Sequence, residues 1–146
     1  MIRKWDAKET RPLLTLWLDS TIHAHPFINE TYWHESVAVV RDVYLPAAST
    51  WVWEENATIK GFVSVMESRF IGALFVAPDA IRRGIGSALL DEVKQHYRWL
   101  SLEVYQKNVQ AVNFYHAQGF RIEDCAWQDD TLQPTWIMHW PADQTP

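Results

Sequence analysis

Apolar residues change their period along this chain, and the changes mark out its elements. After Arg69, the run to Val76 is almost wholly apolar and rich in aromatic and β-branched side chains, as in a short buried strand. Beyond it, Ile85, Ala88, Leu89, Glu92 and Val93 recur at helical spacing and form one mostly apolar face. Upstream, about Ile2 to Asp6 reads as a short strand. Leu13, Leu14, Leu16, Trp17 and Leu18 then read as a helix with Pro12 near its first turn. Pro26 punctuates the stretch Thr21 to Phe27, and a second helix is predicted from about Asn29 to Tyr44, stopping near Pro46. Strands follow over about Thr50 to Glu54 and Thr58 to Met66, with Glu55-Asn56 as a hairpin turn. Downstream of the helix at Ile85, Trp99 to Val104 reads as a strand and closes a right-handed β-α-β unit. Asn108 is suited to cap a helix over Val109 to Gln118, with Gly119 just past its end. Strands over about Arg121 to Trp127 and Thr135 to Trp140 complete an α/β pattern with a mixed sheet of about seven strands.

The handover from the Arg69–Val76 strand to the next helix carries Arg82, Arg83, Gly84 and Gly86. The first amides of a helix lack intrahelical partners and sit at the positive end of its dipole. Glycines there let backbone approach a bulky anion, and arginines add full charge, so the segment suits a phosphate or pyrophosphate. A dinucleotide site would need a third glycine where Leu89 stands, although Glu103 lies near the position of the acidic residue that such a site requires. The phosphate loop with a Gly-Lys-Ser/Thr ending occurs nowhere.

Composition narrows the class. A chain of 146 residues suits one domain spanning 1–146. A net charge of −5, from 13 basic and 18 acidic residues, discourages a general nucleic-acid binder. Cys125 is the lone cysteine, which excludes an intrachain disulfide framework. His23 and His25 lack a companion cluster with metal-ligand spacing, so no metal is expected. No apolar stretch approaches a membrane span and no signal-peptide apolar region opens the chain, so a cytoplasmic location away from membranes is expected. Most of the nine tryptophans are expected in the core.

Phe75-Val-Ala-Pro78 followed by Arg82-Arg-Gly-Ile-Gly-Ser87 resembles the coenzyme A pyrophosphate loop of the GNAT N-acetyltransferases. Ser101-Leu-Glu-Val104, Asn108 and Asn113-Phe-Tyr115-His-Ala-Gln-Gly-Phe120 follow at the family's spacing. The likeness is strong over roughly Thr58 to Trp127; Ile81 departs from the Gln or Arg that often opens the loop.

The resemblance implies the GNAT fold, with about four helices and a sheet splayed between its fourth and fifth strands. It implies acetyl-CoA as cosubstrate, its pyrophosphate on Arg82, Arg83, Gly84, Ile85, Gly86 and Ser87. The pantetheine arm would lie along Leu74, Phe75 and Val76, and Asn108 is a further cofactor contact. Tyr115 matches the acid that protonates the leaving thiolate; the alternative is a core tyrosine satisfied by a carbonyl. Glu103 is the candidate base; it could instead be a solvated strand carboxylate, with Glu54, Glu55 and Glu67 as other carboxylates. The acceptor side is expected among Thr21 to Phe27, with Phe27, Trp33, Phe70 and Trp136 as an aromatic wall, and Asp129 and Asp130 could attract a cation. The expected reaction acetylates a primary amine, foremost protein lysine side chains, with small amines or protein N-termini as alternatives. A non-catalytic acyl-CoA-binding module is the reading from another class. Monomer and homodimer both remain open.

Overall fold

Asn29 and Pro46 shape the first helical layer of the computed structural model, which describes residues 1–142. Strand β1 (Ile2–Lys4) leads through a short 3₁₀ turn into α1 (Thr10–Ala24), with Pro12 in its first turn. Asn29 begins α2 (Glu30–Val39), its side chain accepting from the Thr31 amide at 2.9 Å. The helical run stops near Pro46 as predicted, but it is not regular throughout. Val40–Tyr44 widens into a π turn, with the Leu45 amide donating to Val40, and a last turn α3 (Leu45–Ala47) carries Pro46. Proline has no amide and its ring crowds the preceding turn, and a widened turn relieves that crowding.

The sheet contains seven strands in the order β1-β2-β3-β4-β5-β7-β6. They are β2 (Ser49–Glu55), β3 (Thr58–Val65), β4 (Phe70–Val76), β5 (Leu100–Tyr105), β6 (Arg121–Gln128) and β7 (Gln133–Trp140) beside β1. The β2–β3 turn falls one residue later than predicted. Glu55 pairs with Thr58, and Asn56 and Ala57 form the loop at φ 52° and 62°. Both values suit the two-residue turn whose twist matches a hairpin. Helices α4 (Ile85–Lys94) and α5 (Val109–Ala117) cover one face, with Gly119 past the end of α5 at φ 92°. A Cβ on Gly61 would lie 2.9 Å from Ile85 Cγ2, so the bare backbone of β3 lets the start of α4 sit close.

Two apolar clusters sandwich the sheet. Val63, Leu89, Leu90, Val93, Leu102, Phe120 and Met138 pack on the α4–α5 side. Leu13, Trp17, Trp33, Val52 and Phe62 pack on the α1–α2 side. All strand neighbours are antiparallel except β4 and β5. That parallel pair holds together only at Phe70–Ser101 and Ile71–Leu102. Ser64 opposes Ala73 while Val65 opposes Ile71, which leaves Gly72 as an extra residue in β4. Such a bulge bends its strand. Past it, β4 and β5 diverge, so the predicted splay between the fourth and fifth strands is present.

Candidate active site

The loop from Pro78 to Gly84 is held by two residues with left-handed backbone, Arg82 at φ 70° and Gly84 at φ 82°. Gly84 takes that conformation without the steric cost a Cβ brings. The first amide paired within α4 is Ala88, donating to Gly84 at 3.0 Å. The amides of Ile85, Gly86 and Ser87 therefore lack helical partners. Arg83 turns the other way. Its guanidinium grips the Glu55 carboxylate at 2.8 and 2.7 Å and holds that carboxyl down to about 2, with help from the Trp53 indole.

Register decides which β4 groups face the gap. The Ala77 amide donates to Lys60, and antiparallel pairing alternates, so Ala73 and Phe75 direct their backbone groups at β3. Leu74 and Val76 direct theirs toward the splay. The Ser20 hydroxyl donates to the Val76 carbonyl at 3.4 Å. By the same alternation, the Gln106 amide bonded to Pro134 leaves the backbone of Glu103 and Tyr105 facing the gap from β5.

Two adjoining cavities open at the splay. One, of about 870 Å³, is lined by His23, Phe27, Leu74, Val76, Arg82, Gly84–Ser87, Lys107 and Asn108, among others. Arg82 and Lys107 are cationic, and no Asp or Glu lines it among the described residues. The other, of about 690 Å³, is lined by Trp17, His25, Tyr32, Trp33, Phe70 and Tyr105 together with Glu35, Glu103 and Asp130. No Lys or Arg lines that one among the described residues. Leu74, Phe75, Asn108, Ala111 and Tyr115 border both, so the cavities meet where Tyr115 stands.

Tyr115 is held by α5, whose cap Asn108 accepts from the Ala111 amide at 3.3 Å. Its ring packs edge-on against Phe114 and Phe120. Burial pushes its pKa well above the ordinary value, and no hydrogen bond to its hydroxyl opposes this among the described residues. The carbonyl that would make it an ordinary core tyrosine is absent there. Glu103 accepts from the Thr135 hydroxyl at 2.6 Å and the Gln128 amide at 2.7 Å, both at Oε2. It is thus a held carboxylate rather than a freely solvated one. Its predicted rivals lie elsewhere: Glu54 pairs with Arg3, Glu55 with Arg83, and Glu67 borders neither cavity.

His25 is buried, and desolvation lowers its pKa although the bond to the Thr21 carbonyl opposes that. Nδ1 lies 2.7 Å from that carbonyl, so Nδ1 carries the proton in the neutral ring. The His25 ring contacts Phe27, Trp33 and Tyr105 at centroid distances of 5.6, 5.2 and 5.2 Å. Burial raises the Tyr105 and Tyr32 phenols, and the nearby Asp130 charge raises both further.

Most predicted site residues meet at this junction, with several exceptions. Arg83 is spent on Glu55 and does not line the basic cavity. Phe27 borders the basic cavity rather than the acidic one. Trp136 packs on the α4–α5 side, because its neighbour Thr135 takes the cavity-facing position and successive strand residues face opposite ways. Trp33 and Phe70 do line the acidic cavity, as does Asp130, whereas Asp129 does not. Sequence reasoning missed Thr135, Gln128 and Tyr105. For Tyr105 the alternation of β5 was a usable signal, since Leu100, Leu102 and Val104 are buried on the opposite face. Among the described residues, no group of three His, Cys, Asp or Glu could hold a metal, and no helix is long and apolar enough to cross a membrane.

The splayed sheet, the glycine loop and the paired cavities are those of an N-acetyltransferase, and the chain belongs to the GNAT family. Residues 13–133 match the model of the acetyltransferase (GNAT) domain. The particular likeness is to the peptidyl-lysine N-acetyltransferase YiaC of Escherichia coli strain K12, 57% identical over 145 residues and 99% of each chain. The solution structure of apo YjaB from Escherichia coli superposes with a TM-score of 0.82 at 28% identity, covering 96% of each chain. The PaiA N-acetyltransferase of Thermoplasma acidophilum, crystallised with coenzyme A, also gives 0.82, at 19% identity over 95% of this chain and 96% of that one.

Proposed function

We propose that this chain, acting as a single domain over 1–146 in the cytoplasm, transfers the acetyl group of acetyl-CoA to lysine side-chain amines of proteins. The observation that carries this reading is the segregation of charge across the splay: a basic cavity and an acidic cavity meeting at Tyr115. Coenzyme A is an anion and a lysine is a cation, so each cavity selects one reactant. The strong likeness to a peptidyl-lysine N-acetyltransferase supports a protein lysine over a small amine or a protein N-terminus.

In this reading the pyrophosphate rests on the amides of Gly84, Ile85, Gly86 and Ser87, with Arg82 adding charge. Arg83 contributes backbone only, because its side chain is engaged. Pantetheine pairs with the open backbone of Leu74 and Val76, Phe75 packs beside it, and Asn108 borders its end. A β4 amide facing the splay stabilises the thioester oxyanion. Trp33 and Phe70 flank the incoming amine.

A lysine ammonium must lose a proton before it attacks, which costs roughly 4–5 kcal/mol at pH 7. Glu103 accepts that proton directly or through one water. The neutral nitrogen then bonds to the acetyl carbon in a ternary complex, and the C–S bond breaks. The departing thiolate takes the Tyr115 proton, the surplus proton on the new amide nitrogen converts the tyrosinate back to the phenol, and Glu103 gives its proton up to solvent. The raised pKa of Tyr115 keeps the phenol protonated until it is needed.

The test is mass spectrometry after incubating protein and acetyl-CoA with three acceptors: a peptide with an internal lysine and blocked N-terminus, a lysine-free peptide, and a small diamine. Acetylation of the internal lysine is the predicted outcome. Modification of only the free N-terminus or the diamine would move the assignment to those acceptors. Acetyl-CoA binding with no product from any of them would leave a binding module.

A further inference from the structure

The Glu103 carboxylate is clasped from two neighbouring strands. Thr135 lies on β7, diagonal to Glu103 across the β5–β7 ladder, since Glu103 opposes Ile137 and Tyr105 opposes Thr135. Gln128 ends β6, one strand further out, and reaches back over β7. The hydroxyl of Thr135, only 1% exposed, has Glu103 Oε2 as its hydrogen-bond partner at 2.6 Å. Gln128 Nε2 donates to that same oxygen at 2.7 Å, so Oε1 is left without a hydrogen bond among the described residues.

We infer that Thr135 and Gln128 are positioning residues. They pin Oε2, hold the carboxylate in one orientation, and present Oε1 as the single atom that receives the proton of the acceptor amine. This rests on Glu103 being the base proposed above. The clasp does so with neutral donors, for no arginine or lysine lines this cavity among the described residues. Besides Glu103, the titratable groups facing the cavity are His25 just past α1, Tyr32 and Glu35 from α2, Tyr44 from the π turn, Tyr105 from β5, Tyr115 from α5 and Asp130 from the β6–β7 turn. The acidic side chains among them, Glu35 and Asp130, offer Glu103 no cationic partner. That leaves hydrogen bonding as the means of holding the Glu103 carboxylate. Confining both donors to one oxygen also fixes where the lone pair points, which a freely rotating carboxylate does not.

The experiment is the pH dependence of kcat/KM with acetyl-CoA and a lysine peptide for wild type, Thr135→Val, Thr135→Ser and Glu103→Gln. Valine keeps the volume and β-branch of threonine but removes the donor. A donor that stabilises the charged carboxylate, once lost, makes the proton harder to remove, so the acid limb moves to higher pH. The expected shift is about one pH unit for Thr135→Val, given the strength of hydrogen bonds to charged groups. Serine should restore the wild-type limb, and Glu103→Gln should abolish it. Gln128→Ala, at a half-buried strand end, should shift the limb the same way and serves if the valine variant does not fold. An unshifted limb in Thr135→Val or Gln128→Ala, alongside its loss in Glu103→Gln, would overturn the positioning role and leave the base in place. A limb that survives in Glu103→Gln would overturn both.

Discussion

His25 carries its neutral ring against three aromatic neighbours with Nδ1 tied to the Thr21 carbonyl, and at that site charge is unwelcome. Its pKa is lowered in the folded chain, so the unfolded chain binds the proton more readily. Stability should therefore be fully present above the ordinary histidine value of about 6.5 and be lost as pH falls through the lower folded value. Thermal unfolding of wild type and His25→Gln across that range checks this. The variant should show the shallower dependence of Tm on pH, and parallel curves would remove His25 as the cause. Individual residues differ in how far the sequence exposes them. Tyr115 could be read from its helix register and family motif, because a phenol near a glycine ending leaves few roles. Thr135 could not, because a threonine in a strand is ordinary until its one neighbour is known. Trp136 was placed on the wrong side for a related reason. An aromatic residue attracts attention, yet strand parity, set by partners across the sheet, decided its face.

The elements were legible wherever a local rule dominated. Asn29 and Asn108 cap helices, Gly119 ends one, and the glycine loop precedes α4. The exceptions were places where two local rules competed. Ahead of Pro46 helix continuation met a missing amide, and the chain widened into a π turn before stopping at Ala47. At the β2–β3 hairpin the turn needs two residues of positive φ, and Ala57 fills the second position at 62° despite its Cβ. An alanine in that conformation bears a steric cost of about 1–2 kcal/mol that glycine avoids. Ala57→Gly should accordingly stabilise the protein by roughly 0.5–1 kcal/mol after the entropy that glycine adds to the unfolded chain. A shift of the urea midpoint to higher concentration with unchanged slope is the expected reading. A lower midpoint would mean that the turn is not strained as described.

At the scale of the whole molecule, the net charge of −5 conceals the arrangement that matters. One cavity is edged by Arg82 and Lys107, and the adjoining one by Glu35, Glu103 and Asp130. Linear sequence could not show this, because those residues are brought together by the β4–β5 splay and by the register of β5, β7 and β6. The bulge at Gly72 is the mechanical cause: it bends β4 away after two shared pairs and opens both cavities at once. Tyr115 stands where they join, which makes it the point at which the account is most exposed. The deciding measurement is therefore Tyr115→Phe, with turnover on a lysine peptide and acetyl-CoA affinity determined on the same preparation. Turnover should fall about 10²-fold or more while affinity stays within about twofold, since only the proton donor is removed. Turnover close to wild type would contradict it.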